Sequence, residues 1–153
     1  MLFRSGQMRV SDAMYDFCEQ RRCDFAVTLG DNFYSDGVDS VDDSQFISKF
    51  EIPYDPFSFQ FFATLGNHDI RAKEEGIAAQ IAYTHHSDKW RMFDRYYATQ
   101  IGDVAIFSID SNSFGKKDPR QVRWLKEALQ ESDAKRSEEH TSELQSPCNL
   151  VCR

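Results

Sequence analysis

The sequence predicts an α/β layered domain built on a mostly parallel β-sheet, and three observations carry that prediction. Short apolar runs at 25–29, 59–65 and 104–109 each close on polar turn residues. Stretches with apolar residues at helical spacing separate those runs. A polar, glycine-bearing loop follows each of the first two runs. Helices alternating with apolar strands supply crossovers, which favour parallel pairing and helices layered on the sheet.

Each element has its own local reason. Val10, Ala13, Met14, Phe17 and Cys18 recur at the spacing of one helix face, so a helix is expected over about 11–22. Phe25 to Leu29 is a buried strand ended by Gly30-Asp31-Asn32. Phe46, Ile47 and Phe50 give a short helix before Pro53, and Phe59 to Leu65 a second buried strand ended by Gly66-Asn67-His68-Asp69. A helical stretch near 77–83 precedes the third strand, which ends at Asp110-Ser111-Asn112. Asp118-Pro119-Arg120-Gln121 reads as a capped helix start with proline at the first helical position. Val122, Leu125, Ala128 and Leu129 are the expected buried face of that last helix.

The bulk numbers narrow the function classes. The chain has 153 residues, 41% hydrophobic, which suffices for one core and reads as one soluble domain. A net charge of −7 argues against nucleic acid as a partner, because neutralising phosphates takes clustered Lys and Arg. No apolar run is long enough to span a bilayer, so no membrane partner is expected. Cys18 and Cys23, five residues apart, match no metal-ligand spacing and read as buried thiols.

The two ends read as foreign to the rest. Residues 136–146, from Arg136 to Ser146, are the in-frame translation of a widely used sequencing adapter. Leu2 to Ser5 translates the end of the same adapter in the opposite sense. Natural sequence is therefore expected over 6–135, with 1–5 and 136–153 non-native. The tail's Ser, Glu, Thr and Gln cannot bury a face, so residues past about Ser132 are expected to stay out of sheet and core. His140, Cys148 and Cys152 are not read as ligands.

The chemistry concentrates in the two polar loops. In open α/β sheets ligands bind beyond the carboxyl ends of the strands, where loops can aim side chains at one point. Gly30-Asp31-Asn32-Phe33-Tyr34 and Gly66-Asn67-His68-Asp69 both stand at such ends, so Asp31, Tyr34, Asn67 and His68 are expected to converge. Either cluster alone is ordinary turn chemistry. The pair resembles the second and third signature motifs of the calcineurin-like metallophosphoesterases, and Gly-Asp-Asn-Phe-Tyr resembles the purple, or tartrate-resistant, acid phosphatase branch. Ala79-Gln80-Ile81-Ala82-Tyr83, Trp90, Arg95-Tyr96-Tyr97 and Gln121-Val122-Arg123-Trp124-Leu125 support the likeness, which covers nearly all of 6–135.

The resemblance implies an incomplete metallophosphoesterase-type sheet flanked by helices, making 6–135 a partial phosphoesterase domain. It implies a dinuclear metal centre of Fe(III) with Fe(II), Zn(II) or Mn(II). Asp31 would bridge the two ions, as one carboxylate can for metals about 3.5–4 Å apart. Tyr34 would bind ferric iron, whose hardness suits a phenolate oxygen, and Asn67 would give its amide oxygen to the divalent ion. His68 would stand by the leaving group, holding phosphate or delivering a proton. Asp69 is expected to support its loop.

The implied reaction is attack of a metal-activated hydroxide on a phosphomonoester. The family's remaining aspartate motif would lie before Gly6 and its histidine motifs after Lys135, so this chain is expected to be inactive alone, with the edge beside its first strand open. A phosphodiesterase or nuclease of the same superfamily, and a non-catalytic remnant, are the alternatives. Tyr34 separates the first alternative from a phosphatase, since a tyrosine ligand marks the iron-containing branch. A secreted, periplasmic or lysosomal-type compartment is suggested by the resemblance alone.

Other polar features read as structural. His85 and His86 are adjacent and cannot easily aim both rings at one metal. Asp110 is a turn former, the acidic run from Asp36 to Asp43 a solvated loop without calcium-loop spacing, and Phe57, Phe59, Phe61 and Phe62 core.

Overall fold

Helix α1 (Gly6–Arg21) leads through a sharp turn into strand β1 (Phe25–Thr28) in a computed structural model that describes residues 6–115, 117–132 and 150–152. A short helix α2 (Ser44–Phe46) runs on into a wider π-turn (Ile47–Glu51) before β2 (Gln60–Ala63). Asp43 caps α2 by accepting from the Gln45 N–H at 2.9 Å. Helix α3 (Lys73–Ala82) and the two-residue β3 (Trp90–Arg91) follow. The chain then forms β4 (Tyr97–Ile101), β5 (Val104–Ser108) and α4 (Pro119–Glu131).

Strands β1, β2 and β3 pair in parallel, with Ala26 beside Phe61 and Phe61 beside Trp90. The apolar runs form this sheet because both of its faces are covered. Ala26, Phe61, Phe62 and Ala63 are all buried. Phe46 lies at the centre of the core, stacked on Tyr83 at 3.7 Å and edge-on to Phe33 and Trp90. Phe50, Tyr54, Phe57 and Phe61 continue that aromatic cluster, and Phe59 packs against it half-buried. The expected aromatic core is thus present.

Several expectations are corrected. The third apolar run does not extend the parallel sheet: β5 pairs antiparallel with β4, Tyr97 against Ser108 and Ile101 against Val104. The cause is local, since Gly102-Asp103 joins two alternating segments as a two-residue hairpin turn and Gly102 takes a left-handed φ of 56°. The end of the chain also departs from expectation. Strand β6 (Leu150–Cys152) adds antiparallel to the edge of β1, so part of the segment past Ser132 joins the sheet and that edge is not open. The physical reason is the row of backbone N–H and C=O groups that β1 offers to any short β-prone run such as Leu-Val-Cys. Residues 1–5, His140 and Cys148 lie outside the described residues.

Cys18 and Cys23 are joined in a disulfide rather than kept as buried thiols. Arg22 takes a left-handed φ of 56° just past α1, which folds Cys23 back toward Cys18, with Cα atoms 5.1 Å apart. Helix α1 is rotated from its expected face: Ser11 and Met14 are buried while Val10 and Phe17 are exposed. Polar bonds decide this, as Gln7 donates to the Lys49 carbonyl at 2.6 Å and Ser11 to that of Pro53. In α4, Asp118 caps as expected, accepting from the Arg120 N–H at 3.1 Å. Gln121 is the buried residue of that helix, Val122, Leu125 and Ala128 are half-buried, and Leu129 is exposed. Gln121 faces inward because it accepts the Asp110 N–H at 2.8 Å, a backbone donor left over at the end of β5.

Candidate active site

The two polar loops meet because glycine lets them. A Cβ on Gly66 would stand 2.0 Å from the Asp31 nitrogen and 2.2 Å from Asp31 Oδ1, and one on Gly30 would stand 2.7 Å from Gly66 Cα. No side chain fits at either position, so the loops after β1 and β2 lie backbone to backbone. Asp31 itself takes a left-handed φ of 53°, a conformation that costs of order 1 kcal/mol or more and persists only where surroundings enforce it.

Asp69 does much of that enforcing. Fully buried, it accepts from the N–H groups of Gly66 at 2.8 Å, Asn32 at 3.1 Å and Phe33 at 3.1 Å, and from Asn32 Nδ2 at 3.2 Å. It therefore buckles one loop to the other, which matches its expected supporting part. Burial pushes its carboxyl up to about 6, against the backbone donors, with the charge of Asp31 adding to the rise. Asn32 completes the buckle: Nδ2 donates to the Thr64 carbonyl at 2.8 Å and Oδ1 accepts from Thr28 Oγ1 at 2.6 Å.

Three of the four expected site residues share direct contacts. The Tyr34 hydroxyl donates to Asp31 Oδ2 at 2.8 Å, and the His68 N–H donates to Asp31 Oδ1 at 3.0 Å. The Tyr34 and His68 rings lie 4.3 Å apart. His68 Nδ1 sits 2.6 Å from the Ser35 carbonyl, which only accepts, so Nδ1 carries the proton and Nε2 is left for another partner. Asn67 stands between Gly66 and His68, both of which touch Asp31, and is half-buried. The donors brought into contact are one carboxylate and one phenol, whose oxygens at 2.8 Å suit a hard cation. Among the described residues no three His, Cys, Asp or Glu side chains gather as a metal-holding group.

The remaining candidates behave as structural residues. Asp110 is fully buried and forms its turn by accepting from the Asn112 N–H at 3.0 Å. It also takes Arg95 Nε at 2.7 Å, and Arg95 reaches Glu74 at 2.7 Å. Burial opposes the Asp110 charge, but the bonds from Arg95, Ser113 and Asn112 outweigh it and hold the carboxyl below its usual range. His85 and His86 are exposed, His86 lying parallel to Tyr83. Asp36, Asp39 and Asp42 are exposed on the acidic loop. Asn32 is the site residue that sequence reasoning passed over. Its signal was its place inside Gly-Asp-Asn, but two of its partners, Thr64 and Asp69, lie 32 and 37 positions away.

A parallel sheet with acid, phenol and imidazole gathered beyond its strand ends defines an α/β domain that carries its chemistry on loops. The calcineurin-like phosphoesterase model matches residues 4–146, and the chain belongs to that family. It is 36% identical to purple acid phosphatase 7 of Arabidopsis thaliana over 115 residues, 73% of this chain and 34% of that protein. It is 33% identical to tartrate-resistant acid phosphatase type 5 of Oryctolagus cuniculus over 137 residues, 72% of this chain and 41% of that protein. The chain thus spans well under half the length of these relatives. Among solved structures, "GAP50 the anchor in the inner membrane complex of Plasmodium" superposes with a TM-score of 0.62 at 21% identity. That likeness covers 84% of this chain and 45% of the other, and it shows the fold alone. Among the described residues no helix is long and apolar enough to cross a membrane.

Proposed function

We propose that this chain is part of a phosphomonoester hydrolase of the purple acid phosphatase type, in which Asp31, Tyr34 and Asn67 are metal ligands and His68 acts on the leaving group. The observation that carries the reading is the Tyr34 hydroxyl on Asp31 Oδ2 at 2.8 Å, which joins the phenol and the carboxylate that the acid phosphatase pattern pairs. Similarity to the plant and mammalian acid phosphatases supports the same branch. A bound pair of iron with iron, zinc or manganese would supply a water-derived nucleophile and offset charge on the phosphate.

The chain's own residues prepare the rest. Asp31 is held by two donors, so its oxygens are oriented in advance. His68 is fixed through Nδ1, which leaves Nε2 as the nitrogen that can donate a hydrogen bond to a phosphate oxygen or a proton to the leaving oxygen. Residues 6–135 are the natural part of this reading, and 1–5 and 136–153 translated adapter sequence.

The test is the untruncated reading frame, expected to carry an aspartate motif upstream and two histidine motifs downstream. Its product should hydrolyse an aryl phosphate at mildly acidic pH and show a visible tyrosinate-to-iron band that Tyr34→Phe removes. A colourless product that prefers phosphodiesters overturns the phosphomonoesterase reading. The 153-residue chain with added iron and zinc should turn over little or none. Turnover by that chain, abolished by Asp31→Ala, would overturn the expectation that it is inactive alone.

A further inference from the structure

The segment that carries Tyr34 is gripped from outside the two signature loops. Lys49 Nζ, on the π-turn after α2, donates to the Tyr34 carbonyl and also to Gln45 Oε1. Arg71 Nη1 donates to the Ser35 carbonyl at 3.2 Å, the same oxygen that His68 Nδ1 reaches at 2.6 Å. A carbonyl oxygen has two lone pairs, so Ser35 can serve both donors at once. Two cations from different elements and one imidazole thus converge on consecutive backbone carbonyls, 34 and 35.

We propose that Lys49 and Arg71 are positioning residues that hold the 34–35 backbone so that the Tyr34 ring lies over His68 and its hydroxyl meets Asp31; the inference rests on the phosphatase reading for its purpose, not for its geometry. Tyr34 and Ser35 are exposed, so burial does not fix them. Charge-assisted bonds to the backbone do, and such bonds are about twice as strong as neutral ones. The competing partner of Arg71 is weak: Asp36 Oδ1 stands 3.6 Å away, with both side chains well exposed. The short helix is tied to the same loop by Gln45 Nε2 on the Gly37 carbonyl at 2.8 Å, and Gln7 of α1 bonds the Lys49 carbonyl at 2.6 Å. Lys49 is therefore itself held at its backbone, and its side chain reaches the loop from a fixed base.

The experiment uses the 153-residue chain without metal. In its NMR spectrum the His68 ring protons should lie upfield, shielded by the Tyr34 ring 4.3 Å away. Lys49→Met and Arg71→Gln should each reduce that shielding, and the double variant should remove it. Arg71→Lys should restore part of it. The amides of Gly66 and Phe33, held by Asp69, serve as the control and should not move. His68 ring protons unchanged in the double variant would overturn the proposal. So would loss of the Gly66 and Phe33 positions along with them, because the two cations would then be supporting the whole loop pair. A complete protein that lacked phosphatase activity while the His68 shielding behaved as expected would count against the phosphatase reading alone.

Discussion

The half of the molecule built on β1, β2 and β3 and the half built on β4, β5 and α4 are held by different physics. In the first, Phe33, Phe46, Phe50, Phe61 and Trp90 form a nearly water-free aromatic core. In the second, among the described residues, Tyr97 is the buried side chain that joins that core, and the other buried side chains are polar: Ser108, Asp110, Asp118 and Gln121. The second half docks through directional bonds. The Tyr97 hydroxyl donates to the Ala63 carbonyl at 2.9 Å, Thr64 and Ser108 hydroxyls meet at 2.8 Å, and Arg95, itself held by Asp110, reaches Glu74 of α3 at 2.7 Å. Apolar burial therefore stabilises the scaffold under the two site loops, whereas hydrogen bonds set where the β4–β5 hairpin rests.

If this contrast is right, truncating the aromatic core should do most harm. Phe46→Ala is expected to cost about 3–5 kcal/mol, because it opens a cavity among Tyr83, Phe33 and Trp90. Urea unfolding measures it, and a cost below that of the Asp110 change would break the comparison. Gly66→Ala should come next, at roughly 3 kcal/mol, since its Cβ meets Asp31 backbone rather than a movable side chain. The same unfolding curve reports the loss, and the Phe33 amide should exchange faster as the Asp69 buckle loosens.

Asp110→Ala should cost about 2 kcal/mol by leaving Arg95, partly exposed, without its buried partner. That change should disturb β4–β5 amides more than those of β1 and β2, which sharpens the division into halves. The smallest effect belongs to alkaline pH. Burial, then the charge and hydrogen bond of Glu51, push the Tyr83 hydroxyl up to about 12, and burial raises Tyr97 as well. A folded-state value above the unfolded one, about 10, means that the fold holds this proton more tightly. The stabilisation is full below pH 10 and is lost as pH rises from about 10 to about 12. Tyr83→Phe should reduce that loss by on the order of 1 kcal/mol, with pH-dependent urea midpoints as the measurement.

Local sequence determined a good deal by itself. The apolar runs that became β1, β2 and β5, the cap at Asp118, and the glycine-led clusters at Asp31 and His68 were legible because strand burial, capping and turn chemistry are set by neighbours within a few residues. The hairpin of β4 and β5 is also written locally, in Gly102-Asp103, although the apolar run of β5 taken alone matches a buried parallel strand. Tertiary structure alone decided which face of α1 is buried, because polar bonds to the carbonyls of Lys49 and Pro53 outweighed the apolar spacing of Val10 and Phe17. It alone turned Gln121 inward to Asp110. The site shows the same division: glycine and acid could be read in each loop, but the contact of Gly66 with Asp31 and three of the four bonds of Asp69 join residues more than thirty positions apart. Such contacts form only once the sheet has brought β1 beside β2, and no pattern within either loop encodes the distance between them.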